Sequence, residues 1–127
     1  MSPLLLIAEG DAELRTACQQ FLARCRYHVE TAADGLECLE KLRRLRPPVL
    51  VLDRELRWGG GDGVLAWLRE HGDAAGVSVV LTATGGCSLD IFGDIRPPVV
   101  KLLLKPFTLT ALVEDVRAAV AANGRAG

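Results

Sequence analysis

Five short runs rich in apolar residues, four of them followed directly by a polar residue and most of them separated by longer amphipathic stretches, limit what this chain can become. The runs cover residues 4–8, 27–32, 49–52, 77–81 and 99–104. Each has the length of a strand. Residues 4–8 and 49–52 are continuously apolar, and 77–81 and 99–104 are interrupted only by Ser78 and Lys101, as expected of strands covered on both faces; residues 27–32 instead alternate and include β-branched side chains. Between the runs, apolar residues recur at helical spacing. Asp11 is placed to cap a helix carrying Leu14, Cys18, Phe21, Leu22 and Cys25. Leu36, Leu39, Leu42 and Leu45 mark a second helix that Pro47–Pro48 stops. Val64, Leu65 and Leu68 mark a third, over residues 63–71. Thr108 is placed to cap the last, with Leu109, Leu112, Val113, Val116 and Val120 on one face and Asn123–Gly124 ending it. Residues 85–98, with Gly85, Gly86, Gly93, Pro97 and Pro98, leave room for a short or degenerate helix at best.

Strands separated by helices pair in parallel, because a parallel pair needs a crossover connection. Right-handed crossovers place helices on both faces. The expected fold is therefore α/β: a doubly wound, five-stranded parallel sheet of the flavodoxin-like kind. The length of 127 residues suits one domain. We place it at residues 1–123, with 124–127 as a short tail and no room for an output domain.

Composition narrows the partners. Fifteen basic and sixteen acidic residues give a formal net charge of −1, which supplies no field for nucleic acid or an anionic membrane. No stretch approaches a membrane span of about 20 apolar residues, and the start lacks the basic flank of a signal peptide. A cytoplasmic location is expected. The four cysteines, Cys18, Cys25, Cys38 and Cys87, form no CxxC pair and read as reduced thiols. His28 and His71 have no partner that would give them a chemical role. The basic cluster Lys41, Arg43, Arg44 and Arg46 reads as a solvated face at a helix carboxyl end.

In doubly wound sheets the working site lies at the carboxyl ends of the strands. The polar residues there are Glu9, Asp53, Thr82 and Lys105. Carboxylates at such an edge can hold Mg²⁺, and a lysine with a hydroxyl can stabilise the oxygens of a transferring phosphoryl group. One carboxylate can act as a nucleophile and become an acyl phosphate.

These residues lie in motifs whose order and spacing resemble the receiver domains of two-component response regulators. The motifs are LLLIAEGDAELR at the start, VLVLDREL around Asp53, DGVLAWLRE, VVLTA around Thr82, and LLLKPF around Lys105. The resemblance covers nearly the whole chain. It implies that Asp53 accepts phosphate from the phosphohistidine of a sensor histidine kinase or phosphotransfer protein, that Lys105 binds a phosphoryl oxygen, and that Thr82 moves to bond it. It also implies a cis Lys105–Pro106 bond and Mg²⁺ as the metal. The output would be contact with a downstream protein, with no turnover beyond the loss of the phosphate.

Three departures from the family pattern stand out. The usual second acid after the first strand is replaced by Gly10, so we expect a relocated metal set of Glu9, Asp53 and Glu55 and weak Mg²⁺ binding. The loop after Asp53 carries Arg57 where a proline is usual. It runs on through Trp58-Gly59-Gly60-Gly61-Asp62-Gly63, which we read as two residues longer than the family pattern. Leu102 stands where an aromatic switch residue is usual. These departures keep open an alternative, a pseudo-receiver that binds partners without being phosphorylated. A small enzyme on the same sheet is a third reading, weakened because no glycine-rich phosphate loop follows the first strand.

Overall fold

The computed structural model describes residues 2–71, 76–85 and 95–126. Five strands, β1 (Leu4–Ala8), β2 (His28–Ala32), β3 (Val49–Asp53), β4 (Ser78–Thr84) and β5 (Val99–Lys105), pair in parallel in the order β2-β1-β3-β4-β5. The described helices are α1 (Ala12–Arg24), α2 (Gly35–Leu45), α3 (Gly60–Glu70) and α4 (Leu109–Ala126). Fourth-helix expectations for residues 86–94, and the thiol of Cys87, lie outside the described residues.

Strand alternation divides the core into two layers. Leu6, Ala8, Leu50, Leu52, Val79 and Leu81 pack with Cys38, Leu42, Val64, Leu65 and Leu68 of α2 and α3. Their strand neighbours Leu5, Ile7, Val49, Val51 and Val80 point the other way, onto Cys18 and Leu22 of α1 and Leu112, Val113, Val116 and Ala119 of α4. Helices cover both faces, so the central strands β1, β3 and β4 are buried along almost their whole length, and their cores, Leu4–Ala8, Val49–Leu52 and Val79–Leu81, are apolar. The edge strands are not buried in the same way. In β5, Val100, Lys101 and Leu104 are exposed, and in β2 His28 is.

Several boundaries differ from those read in the sequence. The face that α2 buries is Gly35, Cys38 and Leu42, while Leu36 is 64% exposed. The cause is Gly35: its N–H donates to the Arg57 carbonyl, and its Cα lies against the Trp58 carbonyl so closely that no Cβ fits. That approach rotates Leu36 outward. Helix α3 starts at Gly60 rather than 63. Gly59 and Gly60 turn the chain at φ +97° and +65°, and Gly61 packs on β3 where a Cβ would lie 2.6 Å from the Asp53 carbonyl oxygen. Half of the supposed loop is thus the first turn of a helix. At the far end, α4 runs through Asn123 and Gly124 to Ala126. The Asn123 side chain, instead of stopping the helix, donates to the carbonyls of Pro48 and Gly76.

The caps behave as read. The Asp11 carboxylate accepts the N–H groups of Glu13 and Leu14, and Thr108 Oγ1 accepts that of Ala111. Among the described cysteines, Cys18, Cys25 and Cys38 are free, with Cys18 and Cys38 buried. The described residues contain no helix long and apolar enough to cross a membrane.

Candidate functional site

Register brings the expected residues together. Ala8 pairs with Leu52, so Glu9 follows β1 at the level where Asp53 ends β3, and Asp53 pairs with Thr82. Side-chain parity then selects a face. Ile7, Val51, Val80 and Leu103 all pack into the layer of α1 and α4. Two residues further along each strand stand Glu9, Asp53, Thr82 and Lys105, which alternation aims to the same side.

Lys105 reaches that face through an irregularity. Val79 pairs with Val99, but Val80 pairs with Lys101, so the register between β4 and β5 slips by one residue. Without the slip Lys105 would have the parity of Val99, which packs in the opposite layer. With it, Thr82 pairs with Leu103 and Thr84 with Lys105. One extra residue therefore decides which face the lysine serves. Thr82 also differs from expectation: it lies within β4, which continues to Thr84, and is 2% exposed.

The polar network at this edge is compact. Glu9 and Asp53 are each 5% exposed. The Lys105 ammonium lies 2.8 Å from Glu9 Oε1 and 3.4 Å from Asp53 Oδ2. Glu9 Oε2 accepts the Asp11 N–H at 3.0 Å, and Asp53 Oδ1 accepts the Glu55 N–H at 3.0 Å. Thr82 Oγ1 is 3.5 Å from the Leu52 carbonyl, at the limit of a hydrogen bond, so the hydroxyl is weakly held. Burial alone pulls the Lys105 pKa down. The bond to Glu9 and the charges of Glu9 and Asp53 outweigh it and raise the net value, so the ammonium is fixed as a cation. The Lys105–Pro106 bond is cis, as the resemblance implied.

Two contributions were not found by sequence reasoning. Arg15, one turn past Asp11 on α1, donates from Nη1 to the Glu9 carbonyl at 2.9 Å and brings a second positive charge to the rim. The helical spacing from Asp11 would have located it. Glu55 carries a structural bond: its Oε1 accepts the Thr84 N–H at 2.9 Å, tying the loop after β3 to the end of β4. Glu55 is exposed and does not join Glu9 and Asp53. Among the described residues, no group of three or more His, Cys, Asp or Glu side chains could hold a metal ion. The three acids expected to share Mg²⁺ are instead spent on Lys105 and on backbone N–H groups, so as arranged this donor set does not fit a divalent ion.

Trp58 is 69% exposed on the loop beside the site, at φ +59°. Leu102 is half-buried against the layer of α2 and α3. His71 stacks on Trp67 with ring centroids 4.5 Å apart, far from the carboxyl edge of the sheet. A cavity of about 490 Å³ lies near these rings, at the opposite end of the sheet. Lys41 is held by Glu30, Glu37 and the Thr31 carbonyl, which accounts for part of the basic cluster.

A five-stranded parallel sheet in this order, with an acid, a hydroxyl and a lysine on its carboxyl edge, is a doubly wound α/β domain with its polar cluster where such folds carry their working site. The comparisons with known proteins give its family. The model of the response regulator receiver domain family matches residues 5–117, and the chain belongs to that family. The transcriptional regulatory protein CseB of Streptomyces coelicolor is 32% identical over 97% of this chain and 51% of its own length. The response regulator MprA of Mycobacterium ulcerans is 35% identical over 93% of this chain and 50% of its own. The chain thus spans about half the length of these relatives. The CheY-like receiver domain protein of Methanospirillum hungatei superposes with a TM-score of 0.88 at 21% identity, covering both chains fully. The chemotaxis protein CheY4 of Vibrio cholerae superposes with a TM-score of 0.83 at 22% identity, over 94% of this chain and 99% of that one.

Proposed function

We propose that this receiver domain accepts a phosphoryl group on Asp53 from a sensor histidine kinase or phosphotransfer protein and signals through contact with a downstream protein. The observation that carries this reading is the buried Asp53 carboxylate with the Lys105 ammonium 3.4 Å from its Oδ2 and Thr82 beside it in register. Oδ1 is engaged by the Glu55 N–H, which leaves Oδ2 facing the lysine.

In the step, a carboxylate oxygen of Asp53 bonds to phosphorus as the donor's P–N bond breaks. The imidazole nitrogen leaves with the electron pair and takes a proton from solvent. Lys105 shifts its contact from the carboxylate to a phosphoryl oxygen, and the weakly held Thr82 hydroxyl turns from the Leu52 carbonyl to bond another. Hydrolysis of the acyl phosphate restores Asp53, so no outside substrate is turned over. The free thiols of Cys18, Cys25 and Cys38 suit the reducing cytoplasm, where we place the domain. With a net charge of −1 it signals by protein contact and binds neither nucleic acid nor membrane by charge.

The test is exposure to acetyl phosphate followed by intact-mass measurement, with and without Asp53→Asn. One added phosphoryl group, lost in the variant, supports the reading. A wild-type mass that never changes, even with a cognate kinase, defeats it. A second reading, a pseudo-receiver that binds partners unphosphorylated, is favoured by one observation: Lys105 lies closer to Glu9 than to Asp53. Partner binding by Asp53→Asn equal to that of the treated wild type would support it.

A further inference from the structure

We propose that the resident cation of this acceptor crevice is the Lys105 ammonium, clamped by Glu9, and that it stands in for a divalent metal. The inference rests on the phosphoacceptor reading for its chemistry but not for its geometry.

Three observations converge. The first is occupancy of the acids. Glu9 Oε1 binds Lys105 and Oε2 binds the Asp11 N–H; Asp53 Oδ2 faces Lys105 and Oδ1 binds the Glu55 N–H. The Asp11 carboxylate caps α1, and Glu55 Oε1 is bonded to Thr84. Mg²⁺ requires near-octahedral oxygens at short range and gives up its water reluctantly, so it would have to displace an ammonium from both buried carboxylates.

The second is charge. The carboxylates of Glu9 and Asp53 are opposed by Lys105 and by Arg15, whose guanidinium is bonded to the Glu9 carbonyl. Lys105 and Arg15 thus match the two buried carboxylates one for one, which weakens the pull of the crevice on a divalent cation. The third is Gly10. It is exposed, and a Cβ built there meets only the Ala33 carbonyl oxygen, at 3.9 Å. Nothing in the fold forbids an acid at that position. The missing carboxylate is therefore a property of this sequence, and adding one should create the metal site the chain lacks.

The experiment is a Mg²⁺ titration of the whole chain followed by backbone amide shifts at Gly10, Arg54 and Glu55, for wild type and Gly10→Asp. The expected result is no saturable shift in wild type at millimolar Mg²⁺ and a saturable shift in Gly10→Asp. Saturation in wild type overturns the proposal. Silence in both overturns the assignment of the loss to the missing acid. A parallel measurement separates this inference from the reading it rests on. An acetyl phosphate adduct of equal yield in Mg²⁺ and in excess EDTA supports both. An adduct that falls by about tenfold or more in EDTA overturns the metal-free site and leaves Asp53 as the acceptor. No adduct in either buffer or with a cognate kinase, with wild type still silent to Mg²⁺, removes the acceptor reading and leaves the Lys105 clamp standing.

Discussion

Glu9 holds Lys105 at 2.8 Å, with the glutamate almost wholly buried and the lysine head partly open to solvent. That pair joins the end of β1 to the end of β5, the two strands that flank the β3–β4 pair carrying Asp53 and Thr82. The ammonium is what allows two buried acids to coexist at this edge.

Replacing Lys105 with methionine should therefore cost stability. Two carboxylates that are each 5% exposed would lose their shared counter-charge. Removing one partner from a buried ion pair costs about 3–5 kcal/mol; partial solvent access here brings the expectation to about 2–3 kcal/mol at neutral pH. Lys105→Arg, which keeps the positive charge, should retain most of that stability. Urea unfolding of wild type and the two variants checks this. An equal deficit in Lys105→Arg and Lys105→Met would show that packing, not charge, is lost.

Gly61 should be the least replaceable glycine of the α3 turn. A Cβ there would lie 2.6 Å from both the Arg54 Cα and the Asp53 carbonyl oxygen, so Gly61→Ala must move α3 away from the end of β3. A loss of about 2 kcal/mol or more is expected, with amide shifts at Asp53 and Glu55. Gly63→Ala is the internal comparison: nothing lies within 4 Å of its Cβ. That change should stabilise the helix by about 0.5–1 kcal/mol. Chemical denaturation of the two variants gives opposite signs if the packing argument is right.

Burial, with smaller contributions from Glu37 and Asp34, pushes the Cys38 thiol from about 9 up to about 12. A raised folded pKa means that the unfolded chain releases its proton first. The stability is full below the unfolded value, then falls by about 1.4 kcal/mol per pH unit for this one proton until the folded value is reached. Burial likewise raises Cys18 to about 11, with Glu9 adding to the shift and Lys105 opposing it. Stability under reducing conditions should therefore decline above about pH 9. Cys38→Ala, though less stable at neutral pH, should show a shallower decline. Parallel curves for the two proteins between pH 8 and 10.5 would refute the assignment.

Glu55 should matter for order at the β4 end more than for stability. Its Oε1 accepts the Thr84 N–H at an exposed position, where a hydrogen bond contributes about 0.5–1.5 kcal/mol. In Glu55→Ala, amide exchange at Thr84 should quicken several-fold, while Glu55→Gln, which keeps an acceptor oxygen, should retain most of the protection. Exchange measured by NMR decides it. Equal exchange in all three proteins would mean that the bond is not formed in solution.

The architecture was legible because its signals are local. Apolar runs of strand length with no alternation require cover on both faces, which only helices between them can supply, and the two core layers follow that parity. The caps at Asp11 and Thr108 were legible for the same reason. What failed locally failed through contacts between distant segments. Leu36 has the right helical spacing but is turned outward, because Gly35 is drawn against the loop after β3. The glycines after Trp58 read as loop, but two of them begin α3, packed onto strand backbone that a window of sequence does not see.

For the site, residue identity came from the sequence and geometry came from the fold. The order of Glu9, Asp53, Thr82 and Lys105 at the ends of apolar runs, with Gly10 where an acid is usual, was set by the sequence alone. Which of them share a face was not, because side-chain direction in a strand flips with every residue. The one-residue slip between Val79 and Val80, a relation between β4 and β5, turns Lys105 into the crevice. The distances that assign its ammonium first to Glu9 and then to Asp53 likewise exist only once the strands are paired.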